Sequence, residues 1–332
     1  MSKIFYSFIT CIIISLIISP LIFKILRKLK TGQNILEYVD NHKSKAGTLS
    51  MGGLIFIFGC IASLLFMENN FLLSILSLAI MFSYGVLGFL DDILKIKNKH
   101  NEGLKPYQKI VGQVGIAVII AIFIYNFGFL GSEINIPFVD ISVDIGWWII
   151  PFIIIFFIAV TNSVNLTDGL DGLAGYVSLI VILCLGVIGV IKYNLLIDNG
   201  VNAELVSEYI NLAIICFGVA GSILVFLLFN ANPASVFMGD TGSLALGGFI
   251  ASVSAFYQEY LLIVVIGIVF VLTAVSDIIQ VVYYKLTKKR VFLMAPYHHH
   301  LERKGLSETK IVGLYVFITL IACIGTIVFY IQ

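Results

Sequence analysis

Charge is scarce in this chain. Asp, Glu, Lys and Arg make up 12% of its 332 residues, about half the share of a soluble globular domain. Hydrophobic residues make up 60% and mean hydropathy is +1.06, so a water-soluble fold is excluded at the outset. The five cysteines, Cys11, Cys60, Cys184, Cys216 and Cys323, each lie inside an apolar run without metal-ligand spacing. That excludes a zinc ribbon or a CxxC redox motif and leaves them as small hydrophobes. Two nucleotide signatures are also missing. There is no GxxxxGK[ST] and no GxGxxG after a strand, so the energy for any reaction must come from the substrate itself. No internal repeat, low-complexity tract, nucleic-acid-binding tract or separate soluble domain interrupts residues 1–332, which read as a single membrane-embedded domain.

What the chain has instead is long apolar runs. A bilayer core of about 30 Å needs roughly 20 helical residues. Runs near that length fall at 4–23, 51–67, 71–90, 110–130, 146–161, 173–191, 209–229, 243–257, 260–284 and 311–331. They predict an all-α polytopic membrane protein of about ten transmembrane helices. The eighth run is short and Gly-rich, and the ninth is long. The first has no small-residue cleavage site after it and reads as a retained helix, not a signal peptide.

An even number of spans puts both termini on one side. Five loops (24–50, 91–109, 162–172, 230–242 and 285–310) then share the other side and carry eighteen of the twenty Lys and Arg residues, leaving Lys3 and Lys192. The positive-inside rule makes those five loops cytoplasmic and both termini external. Outside, residues 131–145 alternate apolar and polar and suggest a small hairpin, followed by an interfacial Trp147-Trp148 pair.

The polar residues concentrate in the same five loops. The first ends in KAGTLSMGG, with Lys45, a segment that alone would pass for surface lysines and a flexible turn. The second opens on Asp91-Asp92 at the end of a span, an expensive place for two acids unless they are used or hydrated. Neighbours on a helix point about 100° apart, so the two cannot do one identical job; one can meet a metal or a proton while the other faces a different group. Lys105 and Lys109 follow in a stretch able to meet phosphate.

The third loop, NSVNLTDGLDG, holds Asn165, Asp168 and Asp171 and no basic residue. Three residues apart, the two acids share a face if the segment is helical, while Gly169 and Gly172 permit a tight loop. The fourth, FNANPASVFMGDTGS, sets Asp240 among glycines, with Asn230 and Phe237 nearby. Such a carboxylate suits Mg2+, which binds through one or two carboxylates plus substrate phosphates, and Phe237 could stack on a base. In the fifth, His298-His299-His300 invites zinc. Three consecutive side chains point in three directions, however, and no HExxH or CxxC accompanies them. Contact with phosphates fits the neighbouring lysines better.

Taken together, KAGTLSMGG, GFLDDILK, NSVNLTDGLDGLAG, FNANPASVFMGDTGSLALGG and MAPYHHHLE resemble the phospho-N-acetylmuramoyl-pentapeptide transferases, a branch of the polyprenyl-phosphate N-acetylhexosamine-1-phosphate transferases. The DD, NLTDGLDG and GDTGS elements are similar to the wider superfamily, the HHH element to the muramoyl branch. The resemblance implies transfer of phospho-MurNAc-pentapeptide from UDP-MurNAc-pentapeptide to undecaprenyl phosphate at the cytoplasmic face of the bacterial membrane, giving lipid I and UMP with Mg2+. It further implies Asp240 as metal ligand, Asp91 and Asp92 as essential acids near the phosphates, and Lys45, Asn165, Asp168, Asp171, Asn230 and Phe237 around the nucleotide and diphosphate, with Phe237 and Asp171 nearest uracil. His298, His299 and His300 would contact substrate, His299 foremost. A bent ninth span beside a lipid-accessible groove and a homodimer are implied as well.

Leu49-Ser50 stand where the family usually shows Pro-Thr, Leu306 replaces a common Trp, and Asp277 within the ninth span has no family role. Two other readings compete. A GlcNAc-1-phosphate transferase of the same superfamily would lack the His triplet. A polyprenyl-lipid transporter or flippase would place its acids near the midplane of repeated halves, whereas here they cluster at span ends.

Overall fold

The structure, a computed structural model, describes residues 1–29, 31, 47–98, 103–127, 130–139 and 141–331. It is an all-α polytopic membrane protein with a small β-hairpin among the described residues. Among the described residues, eight helices are long and apolar enough to cross a bilayer. These are α1 (Ser2–Leu29), α3 (Leu72–Asn98), α4 (Pro106–Asn126), α5 (Ile149–Thr167), α6 (Leu173–Asp198), α7 (Ala203–Asn230), α10 (Ile268–Thr287) and α12 (Glu308–Ile331).

The remaining apolar runs take shorter forms. The second is α2 (Leu54–Gly59), continued as a seven-residue 3-10 stretch, Cys60–Phe66. The eighth is α8 (Gly239–Phe256), in which every residue from Thr241 to Phe256 is buried. That burial accounts for its weak hydropathy: a helix surrounded by protein can carry glycines and serines that a lipid-facing helix would not. Ser252 and Ser254 satisfy their hydroxyls on the carbonyls of Phe249 and Ile250. The ninth run breaks at Gly267 into α9 (Leu262–Ile266) and α10, which answers its excess length.

Helix α8 packs between α3 and α5, and α6, α7 and α1 complete the core. All five cysteines are free and buried. At the end of the bundle away from the motif loops, β1 (Glu133–Ile136) and β2 (Ile141–Asp144) pair antiparallel, the hairpin suggested by the alternation of 131–145. Trp147 and Trp148 stack at 4.2 Å beside the start of α5. There too the Glu208 carboxylate, reaching from α7, accepts the Leu72 and Leu73 N–H groups and caps α3.

Candidate active site

The motif loops converge at the other end of the bundle, with loop four at their centre. Loop one joins it through backbone: Phe237 N–H donates to Leu49 O at 2.7 Å and Gly52 N–H to Phe237 O at 2.8 Å. Because Leu49 contributes its carbonyl, the family's Pro at this position would make the same bond. Lys45 lies outside the described residues.

Loop two meets loop four through the side chains of Asp91, Asp92, Lys95 and Lys109. Asp92 Oδ2 accepts both the N–H (2.9 Å) and the hydroxyl (2.7 Å) of Thr241, and Oδ1 accepts the Asp240 N–H at 3.2 Å. These are orphan donors of the first turn of α8, so a carboxylate from α3 caps a helix more than a hundred residues away. The approach is tight: a Cβ at Gly88, one turn earlier on α3, would sit 2.1 Å from Asp240 O. Asp91 lies beside Asp240 as well, and accepts the Leu104 N–H at 2.7 Å and pairs with Lys95 at 2.6 Å. The adjacent acids differ in their hydrogen-bond donors, Leu104 for Asp91 and Thr241 for Asp92, but share Lys95 as a neighbour.

Asp240 collects the rest. Lys95 Nζ lies 2.7 Å and Lys109 Nζ 3.1 Å from its Oδ2, and Asn165 Nδ2 donates to its Oδ1 at 2.7 Å. Asn165 is itself fixed by Ser243 (2.8 Å) and by Lys109 (3.1 Å). Burial opposes ionisation of Asp240, but its hydrogen bond with Asp91 and the ammonium groups of Lys109 and Lys95 outweigh it and hold the carboxyl well below the usual carboxylate range.

Asp91, Asp92 and Asp240 offer oxygens that all lie within 4.8 Å of one another. Their common neighbour is Lys95 Nζ, 2.6, 3.8 and 2.7 Å from them. Three carboxylates around one cationic nitrogen form a donor set of hard oxygens in a field that demands positive charge. That fits a divalent ion of the Mg2+ type.

Loop three supplies the carboxylates beside this centre. Asp168 follows the last turn of α5, and no protein donor reaches its carboxylate among the described residues. Burial and the charges of Asp240, Asp92 and Asp171 push it up to about 8. Asp171 is held against loop four, its Oδ2 accepting from the Ala234 N–H (3.0 Å) and from Asn232 Nδ2 (3.2 Å). Asn230, buried, ties the two loops: its Oδ1 accepts the Gly172 N–H and its Nδ2 donates to Val236 O. Phe237 stands half-buried between the loop-one contact and Met238.

Loop five covers loop three through α11 (Tyr297–Arg303), in which the rings of His298 and His299 lie together, centroids 4.4 Å apart, contrary to a three-way split. A Cβ on Gly169 would lie 2.4 Å from His298 Nε2 and 3.1 Å from His299 Nε2, so both rings rest on the residue next to Asp168. His298 is fully buried, and among the described residues neither ring nitrogen has a hydrogen-bond partner; burial, reinforced by His299, pushes it down to about 3. His299 Nδ1 lies 3.0 Å from Glu302 Oε2. His300 accepts the Leu293 N–H on Nδ1 and packs its ring against Phe292 and Tyr297.

Site residues not singled out from sequence are Lys95, Thr241, Ser243, Glu302 and Glu308. Two had a signal: Lys95 stands four residues after Asp91, and Glu302 three after His299, both helix-face spacings. The others act across loops distant in sequence.

Comparison with known proteins gives a consistent picture. The family profile of glycosyl transferase family 4 matches residues 72–258. The chain is 45% identical over 325 residues to a phospho-N-acetylmuramoyl-pentapeptide-transferase of Clostridium perfringens (strain 13 / Type A), covering 97% of this chain and 96% of that protein. It is 42% identical over 326 residues to the protein of that name from Clostridium novyi (strain NT), covering 98% and 96%. Against that of Halalkalibacterium halodurans, identity is 40% over 307 residues, covering 90% and 89%.

Proposed function

The chain belongs to the phospho-N-acetylmuramoyl-pentapeptide transferases within glycosyl transferase family 4, and from that membership we propose how its converging loops carry out the reaction. It is a phosphoglycosyl transferase of the bacterial membrane, and it performs the first membrane step of peptidoglycan synthesis. It uses a nucleotide-sugar donor and a polyprenyl-phosphate acceptor. In our reading the donor is UDP-MurNAc-pentapeptide and the acceptor undecaprenyl phosphate. An acceptor phosphate oxygen forms a bond to the sugar-linked phosphorus while the bond from that phosphorus to the departing UMP oxygen breaks. Lipid I and UMP result, and one diphosphate replaces another without outside fuel.

The observation that carries this reading is Asp240 held between Lys95, Lys109 and Asn165, with Asp91 and Asp92 within 4.8 Å. Asp240, with Asp91 beside it, is the proposed Mg2+ ligand; the ion supplies neutralisation and alignment of the diphosphate charge. Lys95 and Lys109 bring two more positive charges to the transferring phosphates. Asp92, both oxygens engaged by α8, positions Asp240. Asn165, Asp168, Asp171, Asn230 and Phe237 shape the nucleotide and diphosphate pocket, Phe237 and Asp171 toward uracil. Of the histidines, His299 meets substrate from loop five, flanked by His298 and His300. Lys45 is assigned to the diphosphate on resemblance alone.

We place the site at the cytoplasmic face, in a ten-crossing topology with both termini outside. The bias of eighteen of twenty Lys and Arg residues onto one side supports that orientation. A homodimer is proposed from the family resemblance.

The test is UMP release by the purified enzyme given UDP-MurNAc-pentapeptide or UDP-GlcNAc, with and without undecaprenyl phosphate and Mg2+. Release requiring the muramoyl donor, the lipid and the metal together is expected. Turnover of UDP-GlcNAc instead, or release indifferent to lipid and metal, overturns the assignment.

A further inference from the structure

Glu308 opens α12 and lies at the rim where loops three and four meet. Its Oε1 accepts the backbone N–H of Asp171 at 2.6 Å, and its Oε2 accepts from Asn232 Nδ2 at 3.0 Å. Asn232 Nδ2 also donates to Asp171 Oδ2 at 3.2 Å, and the Ala234 N–H donates to the same oxygen at 3.0 Å. Three of these bonds close a ring through Glu308, Asp171 and Asn232. One amide nitrogen spends a hydrogen on each of two carboxylates, and α12 presents its N-terminal dipole to the acid that anchors the ring.

The ring joins residues 137 and 76 positions apart, so no local folding preference requires it. Its effect falls on the Asp171 carboxylate. The backbone of Asp171 is fixed from one side by Glu308 and its side chain from the other by Asn232 and Ala234.

We infer that Glu308 is a positioning residue for the nucleotide end of the active site, holding loop three to loop four so that Asp171 stands ready for the base of a nucleoside diphosphate. The inference rests on the transferase reading above, in which Asp171 faces uracil. It separates two functions of one site: the clasp governs how the nucleotide is held, while the Asp240 centre governs transfer. The donor/acceptor polarity of the ring is fixed, because in Glu308→Gln the new amide would oppose the Asn232 amide. A carboxylate is therefore needed at 308, and the Gln variant should fall between wild type and Glu308→Ala.

The experiment uses full-length enzyme in detergent with Mg2+, comparing wild type, Glu308→Ala, Asn232→Ala and the double variant. Steady-state kinetics are measured against both substrates, and UMP binding by calorimetry. Removing a hydrogen bond to a charged group should raise donor KM and UMP Kd about 10-fold. Values of kcat and of KM for undecaprenyl phosphate should stay within about threefold. The double variant should be little worse than either single one, because both remove the same ring. A donor KM raised less than threefold in both single variants, a loss confined to kcat, or additive effects would overturn the inference. Asn232→Ala keeps the test decisive if Glu308→Ala fails to fold. Wild type that binds UMP but transfers nothing would sink the transferase reading alone, leaving the clasp to be judged by UMP affinity.

Discussion

Asp92 on α3 and Thr241 on α8 are joined twice through one oxygen, Asp92 Oδ2, which accepts the Thr241 N–H at 2.9 Å and its hydroxyl at 2.7 Å. Both partners are buried. Losing a carboxylate acceptor there leaves first-turn donors of α8 unpaired, at a cost of about 1–3 kcal/mol. Asp92→Ala should lower the Tm of the purified protein by several degrees and depress transfer through displacement of Asp240. Asp92→Asn, which keeps one acceptor oxygen, should lose less of both. Fluorescence-detected melting beside UMP-release assays reads the two effects. An Asp92→Ala protein as stable as wild type would show that the cap contributes nothing.

For Asp240 the prediction separates chemistry from folding. Its partners Lys95, Lys109 and Asn165 retain other contacts when it is removed: Lys95 with Asp91, and Lys109 with Asn165. Asp240→Ala should therefore insert and purify as a monodisperse protein while transfer falls on the order of 10³-fold or more, the scale for loss of a central electrostatic contact. A variant that remained active and still responded to Mg2+ would falsify the metal assignment.

These residues also mark how far sequence alone could reach. Spacing made the divergence of Asp91 and Asp92 readable, because 100° per residue is a local property of any helix. It did not make the histidines readable: His298 and His299 converge on Gly169, a contact set by loop three and not by helix spacing. Lys95 and Glu302 had helix-face signals, but charged residues at that spacing are common on solvated faces. The capping of α8 by Asp92, the Glu308 clasp and the Asn165–Ser243 bond could not be read, because each joins segments far apart in the chain. Helix α8 shows the complementary limit. Hydropathy measures preference for lipid, and a helix buried by its neighbours is freed from that preference. The two short or broken runs, at α2 and at Gly267, likewise depart from ideal spans for reasons set by packing.

Asp168 makes stability depend on pH in an unusual sense. Its carboxyl is raised to about 8 from the ordinary 3.8 by burial and by Asp240, Asp92 and Asp171. Between those values the folded protein holds a proton that the unfolded chain has released, so stability falls as pH climbs through that window. His298 works in the opposite direction. Lowered to about 3 from 6.5, it contributes stability above pH 6.5 that is lost as pH falls toward 3. The two slopes cancel where the windows overlap, so without divalent ions wild-type Tm should be level between about pH 4 and 6.5 and decline from there toward pH 8. Asp168→Asn should flatten the alkaline limb and uncover the His298 decline below about pH 6.5. An unchanged slope between pH 7 and 8 in that variant would refute the assignment.

The seating of loop five on loop three rests on a residue without a side chain. A methyl group at Gly169 would fall 2.4 Å from His298 Nε2 and 3.1 Å from His299 Nε2, so Gly169→Ala must push at least one ring away. His298 is buried and has little room to retreat, and His299 is tethered to Glu302 at 3.0 Å; the displacement should pass into α11. If His299 meets substrate from that position, a shift of about 1 Å suffices to cost on the order of 100-fold in rate. The metal centre lies on other loops and should be untouched, so Mg2+ dependence should keep its wild-type midpoint. Transfer assays across a Mg2+ titration check both halves. Full activity in Gly169→Ala would show that the histidine loop does not need this seat, and a shifted Mg2+ midpoint would show that loop five reaches the Asp240 centre after all.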